Sequence, residues 1–203
     1  GREVSANIDI ESNAEGTGIV ITIKPGTKDE SVHIPVILSQ AGLHDVVYNT
    51  FIVGEDADVT IIAGCGIHCG GSAPEGHEGI HEFRIGRNAR LKYVEKHVAL
   101  GEGKGKRTLN PTTNVYLDEN AYAEMELSQL GGVDEARRVN TAELGPGSAI
   151  LITERVMTDG DQRAESKNEL ILQGEDSKAN IVSRSVVKGD SKQDFFVNLE
   201  ARA

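Results

Sequence analysis

Five of the eight Cys and His residues in this 203-residue chain fall within 17 positions. They are Cys65, His68, Cys69, His77 and His81, in the stretch IIAGCGIHCGGSAPEGHEGIHEF. Thiolate sulfur and imidazole nitrogen are natural ligands for zinc and iron, because soft and borderline donors match those ions. The spacing C-x2-H-C-x7-H-x3-H fits no standard structural zinc module, so residue type points to a metal and spacing does not specify one. A disulfide across C-x3-C would close a tiny loop and contribute little stability, so a reduced thiol pair in a cytoplasmic protein is the better reading. The bland reading stands beside it. A free Cys is commonly a small buried hydrophobe, and His68, Cys69 and His77 lie in a Gly-rich run that reads as an exposed loop.

Composition narrows the partners. The net charge is −11, whereas nucleic acid or an anionic membrane surface demands a basic footprint, so neither is expected. No run approaches the roughly 18 apolar residues of a membrane span. No secretory signal opens the chain, and its first residue is Gly rather than Met, which points to a trimmed start or a tag remnant. Apolar residues make up 38% and aromatics 4%, with no Trp, so a core must be built from Val, Ile, Leu and Ala. The run GEGKGKRT (101–108) imitates a phosphate loop, but Arg107 stands where Ser or Thr should follow the Gly-Lys pair.

The elements that would position these residues show in a repeat. NTFIVGEDADVTIIAGC, HEFRIGRNARLKYVEKH, TNVYLDENAYAEMELSQ, NTAELGPGSAILITERV and ELILQGEDSKANIVSRS share one form: strand, turn, strand. Their turns are anchored at Gly54, Gly86, Asp118, Gly145 and Gly174, residue types that tolerate the positive φ of tight turns. The flanks alternate with period two, as strands with one buried face do. One phase carries Phe51/Val53, Phe83/Ile85, Val59/Ile61, Leu91/Tyr93, Ala123/Met125 and Ile150/Ile152. The other carries Asp58, Arg90, Lys92, Glu124 and Glu126.

A repeat near 30 residues with stacked apolar columns predicts an all-β fold, a parallel β-helix, as one domain over 1–203 with core repeats at about 32–200. The runner-up is a β-sandwich or jelly roll. GIVITI and VHIPVIL add a further coil, and QDFFVNLEARA one more strand. With no capping helix in sight, the open C-terminal coil is expected to pair with a second copy or a paralogue.

Register then selects the inward polar residues. The third inward position after each turn holds Ala63, Glu95, Leu127, Glu154 and Ser183; the fourth holds Cys65, His97, Gln129, Val156 and Ser185. His81 shares the phase of Phe83 and Ile85 on the incoming strand. Cys65, His97 and His81 are thus expected to point into one dry interior, with Glu95 beside them. Solvated strand ends are the commoner fate of Glu.

HIPVILSQAGLHDVVYNTFIVGEDADVTIIAGC resembles the opening of the SufB/SufD core domain, and LGPGSAILITERVMTDGDQRAESKNELILQGEDSKANIVSRSV resembles its central coils. The resemblance implies a right-handed parallel β-helix that acts as a non-enzymatic scaffold for iron–sulfur cluster assembly. It implies work with a SufC-like ABC-type ATPase, with iron and a transient iron–sulfur cluster as the species handled and zinc as an alternative ion. It selects Cys65 and His81; Glu95 and His97 follow from the register alone. The Gly-rich stretch between Cys65 and His81 is longer than the family pattern, and the chain stops near residue 203 where members continue. A minimal or divergent member, or part of a longer chain, is therefore expected. Two other classes stay open: a polysaccharide-active β-helix enzyme, disfavoured by four Tyr and no Trp, and a purely structural assembly module without metal.

Overall fold

The computed structural model describes residues 2–38, 42–68 and 71–202. Their regular elements are strands. At the N-terminus these are β1 (Arg2–Ser5), β2 (Ile8–Ser12), β3 (Ile19–Ile23) and β4 (Lys28–Leu38). The middle coils are built from β5 (His44–Val53), β6 (Asp58–His68), β7 (Glu75–Ile85), β8 (Arg90–Leu100), β9 (Arg107–Leu109), β10 (Thr112–Leu117) and β11 (Tyr122–Gln129). The last are β12 (Glu135–Leu144), β13 (Ala149–Thr158), β14 (Arg163–Leu172), β15 (Lys178–Val187) and β16 (Lys192–Ala201).

Each turn carries the chain from one sheet to the other rather than back along the same sheet. One sheet runs β3-β5-β7-β10-β12-β14-β16, and the other β4-β6-β8-β11-β13-β15, all in parallel. This is the expected parallel β-helix, with β3 and β4 forming the extra coil. Val59, Leu91, Ala123, Ile150 and Ala179 are successive register partners, so the predicted inner column is in place. Phe51 stacks on Phe83 with ring centroids 4.4 Å apart, and Tyr93 meets Phe83 edge-on at 4.7 Å. The N-terminus departs from the coil pattern: β1, β2 and β3 pair antiparallel and extend the first sheet beyond its first parallel strand.

The turn residues act differently from expectation. Positive φ falls not on the anchors but two residues later, at Asp56, Asn88, Asn120, Gly147 and Asp176. Asp and Asn tolerate this left-handed region better than other residues with a Cβ. The anchoring glycines serve close approach instead. A Cβ on Gly54 would sit 2.5 Å from Pro25 N, and one on Gly86 2.9 Å from Glu55 N, in the coil before. At the fourth turn position Ser148 and Ser177 hydroxyls donate to the carbonyls of Gly145 and Gly174, each at 2.7 Å.

Gly54→Ala should therefore destabilise the protein by about 1–3 kcal/mol, the usual cost of overpacking a tight site. Gly66, whose Cβ would meet nothing within 4 Å, is the control: Gly66→Ala should stay within about 0.5 kcal/mol of the parent in urea unfolding.

Candidate functional site

The pleat sends alternate residues inward and register stacks them in columns. Near the Gly corner those columns are apolar. Farther along they turn polar: Ala63, Glu95, Leu127 and Glu154 partner in succession, as do Cys65, His97 and Gln129. On the opposite sheet Asn49, His81, Thr113, Asn140 and Asn168 form a third column. Beyond them a second apolar cluster includes Ile67, Leu109, Val133 and Ala136. A polar belt thus runs between two apolar ones.

Glu95, 1% exposed, is the centre of the belt. Arg138 Nη2 donates to its Oε1 at 2.7 Å, and the Tyr93 hydroxyl donates to Oε2 at 2.9 Å. Burial works against the charged carboxylate, but His97 and Arg138 outweigh it and hold Glu95 well below the usual carboxylate range. Burial likewise pushes His97 down to about 4, against the pull of Glu95. Its ring is neutral at pH 7, and Nδ1 accepts from Arg138 Nη2 at 3.3 Å. The chain of protons then fixes His81. Tyr93 gives its proton to Glu95, so the His81 Nδ1, 3.0 Å from the Tyr93 oxygen, must donate to it. That tautomer leaves Nε2 of His81 as a free base, and burial keeps the ring from protonating.

Cys65, His77, His81, Glu95 and His97, with Asn49, line one internal cavity of about 20 Å³. That is room for a single water-sized guest. Burial pushes the Cys65 thiol up to about 12, with the charges of Glu95 and Asp45 adding to it. Cys65 is a free thiol and is protonated at neutral pH. His77 is 3% exposed; its Nδ1 lies 3.4 Å from Asp45 Oδ2 but makes no hydrogen bond, and burial lowers its pKa. A Cβ on Gly79 would sit 2.9 Å from His81 Nε2 and 3.4 Å from His77 Nε2. Both imidazoles therefore edge a small space that glycine alone leaves open.

The structure brings Cys65, His81, Glu95 and His97 together as the register requires, and adds His77, which lies on strand β7 facing inward rather than in an exposed loop. Glu95 and Glu154 are buried, not solvated. His68 ends β6 on the outward phase and is exposed, apart from the cavity. Cys69 lies outside the described residues. Sequence reasoning missed Arg138 and Asn140, which continue the inward phase of Ala142 and Leu144 along β12. It also passed over His77-Glu78-Gly79-Ile80-His81, which has the form H-E-x-x-H. On a helix that spacing places two His on one face beside a catalytic Glu. On a strand Glu78 points outward instead, and its carboxylate meets His44 Nε2 at 3.1 Å. Among the described residues no three His, Cys, Asp or Glu side chains are set to hold a metal ion. A surface depression over Ile52, Arg84 and Tyr116 is an open shelf on the outside and shares none of these residues.

A parallel β-helix with a thiol, imidazoles and a carboxylate facing its interior defines a solenoid with a polar core. The family model for "SUF system FeS cluster assembly, SufBD core domain" matches residues 37–200, and the chain belongs to that family. An "Iron-sulfur cluster assembly SufBD family protein" of Archaeoglobus fulgidus is 27% identical over 178 residues. That match covers 85% of this chain and 45% of the relative, so the chain spans less than half of that protein's length. Membership ties the chain to iron–sulfur cluster assembly. No helix among the described residues is long and apolar enough to cross a membrane.

The pKa shifts set a stability profile. Between pH 6.5 and about 4 the unfolded chain takes up a proton that folded His97 refuses, so stability is lost as pH falls through that window. His77, His81 and Glu95 are lowered too and act in the same direction. Cys65 acts at the other end, losing stability as pH rises from 9 towards about 12. Denaturant unfolding should show a plateau from about pH 6.5 to 9, with an acid limb to which His97 contributes roughly 3 kcal/mol. His97→Gln should flatten that limb.

Proposed function

We propose that this protein is a non-enzymatic scaffold component of a SUF-type system, handling sulfur and iron as cargo at Cys65, His77 and His81. The observation that carries this reading is the shared cavity: one thiol and two free imidazole edges around a space of about 20 Å³. That volume admits one atom at a time, not a finished cluster, so the interior receives and passes single iron or sulfur species. Cys65 must lose its proton to bind metal, and metal binding releases it. The Nε2 atoms of His77 and His81 are the bases at hand. Glu95 holds the belt's negative charge and, through Tyr93, fixes the His81 tautomer. Iron is the intended ion, and zinc suits the same donors.

The proposed assembly works in the cytoplasm with a SufC-like ABC-type ATPase. A second copy or a SufB/SufD-type paralogue packs on the last coil, where Phe195, Phe196, Val197 and Leu199 are about half exposed. In this reading His68 and Cys69 are auxiliary donors.

Anaerobic reconstitution with the ATPase partner, read by iron and sulfide content, tests the site. Cys65→Ala and His81→Ala should each lower cluster yield at least tenfold without unfolding the solenoid. Gly79→Ala should do the same with every donor still present, because its methyl group would fill the space between the imidazoles. Normal yield from both Cys65→Ala and Gly79→Ala would remove the cavity from the function.

A further inference from the structure

One stretch of the second sheet's outer face carries the sign of charge that the chain as a whole lacks. Register lines up Lys96, Ser128, Arg155 and Arg184 on the successive strands β8, β11, β13 and β15, in a protein whose net charge is −11. Glu126 meets Arg155 at 3.3 Å but is shared with Lys92 at 3.0 Å. Lys96 and Arg184 make no ion pair among the described residues. Arg155 and Arg184 stand directly side by side, and like charges so placed destabilise a sheet. Two residues further along, Leu130, Met157 and Val186 are 51%, 43% and 49% exposed. A basic row and an apolar row thus run together along the solenoid axis.

The row continues onto β6 through Gly64, the register partner of Lys96, and there the outer face is bare. Neither Gly64 nor Gly66 has positive φ, β6 pairs with β8 without a bulge, and a Cβ on Gly66 would meet nothing within 4 Å. Glycine weakens a strand interior, and where no turn or bulge requires it, it often marks close approach by another chain. Backbone hydrogen bonding decides what can lie on this face. A strand laid across a sheet face meets no edge and leaves its backbone groups unpaired, whereas a helix satisfies its own and packs on sheets. Strand spacing sets Arg155 about 5 Å and Lys96 about 14 Å from Arg184 along the axis. Carboxylates at i, i+4 and i+11 of a helix share one face and rise about 6 and 16 Å, within reach of those side chains.

We propose that this face docks an acidic amphipathic helix of a separate protein. Its carboxylates lie against Lys96, Arg155 and Arg184, and its apolar flank against Leu130, Met157 and Val186. A second copy of this chain does not supply it, because the regular elements among the described residues are strands. A nucleic acid would meet three cations and then the repulsion of a chain at −11. Lys96 and Arg155 point outward while their neighbours His97 and Glu154 are buried, so the surface stands whether or not the cavity serves assembly.

The probe is a fluorescein-labelled helical peptide of about five turns, built from Leu, Ala and Glu, with Glu at i, i+4 and i+11 and Leu on the adjoining flank. Fluorescence anisotropy should show it binding the 203-residue protein at low ionic strength, with affinity falling as salt rises. The Lys96→Glu/Arg184→Glu protein should bind it at least tenfold more weakly. Lys167→Glu/Lys192→Glu makes the same change of net charge on the outer face of the first sheet and should bind like the parent. Met157→Ser/Val186→Ser should weaken binding at least threefold with every charge kept. A peptide of the same composition with Glu scattered round the helix should bind at least tenfold more weakly. Circular dichroism checks folding, and if the charge-reversed protein does not fold, Lys96→Gln/Arg184→Gln carries the test. No binding by the parent, an equal loss in the first-sheet control, or tighter binding of a single-stranded RNA of similar length overturns the proposal.

Discussion

Glu95 and Arg138 meet across the interior from strands of opposite sheets, 43 residues apart, and the polar belt is organised around that contact. A carboxylate taken out of water is costly unless paired and hydrogen-bonded. Here both oxygens are met, one by Arg138 and one by Tyr93. Breaking such a pair by removing one partner typically costs about 3–5 kcal/mol, because the remaining charge is stranded. The pair also orders its neighbours. It gives His97 a proton to accept, fixes the tautomer of His81 through Tyr93, and helps keep Cys65 protonated. Burial sets the protonation of these three groups, and the ion pair sets how two of them are hydrogen-bonded.

The belt explains why a solenoid interior can be polar and stable at once. Stacked coils give each inward residue only two register neighbours, so a polar column is tolerated where neighbouring columns supply its partners. Glu154 shows the same solution three coils from Cys65: Asn140 donates to it at 2.8 Å, Ser166 at 2.8 Å, and Asn168 adds a longer bond. Apolar clusters on either side keep water from competing for these bonds. The cavity beside Cys65, His77 and His81 has a volume of about 20 Å³, so the polar belt is closely packed there.

Much of this was legible in the sequence, for a physical reason. A strand has period two and a parallel coil keeps register, so counting from the turns placed Cys65, His97 and Glu95 on the inner face. Counting stopped at Ala142 on the incoming strand of the next coil. Two and four residues further back stand Asn140 and Arg138, whose polarity hid an inward position. His77 was misplaced because glycine-rich composition signals a loop, whereas Gly76 and Gly79 are strand residues that leave room for imidazoles. A Cβ on Gly76 would meet His44 Nδ1 and one on Gly79 would meet His81 Nε2. The corner glycines were identified correctly and explained wrongly, since close approach and left-handed backbone call for the same residue type.

That corner has a consequence for how such chains can change over generations. Its four-residue turns at 54–57, 86–89, 118–121, 145–148 and 174–177 are locked by contact with the preceding coil, so an inserted or deleted residue there would break the stack on both sides. The opposite edge carries the variable connections, 71–74, 101–106 and 130–134, and an added strand, β9, wedged between β7 and β12. Length can drift at that edge while the spacing of rungs is preserved. A lineage can therefore remodel the approach to Cys65 and His77 by indels without rebuilding the scaffold that holds them.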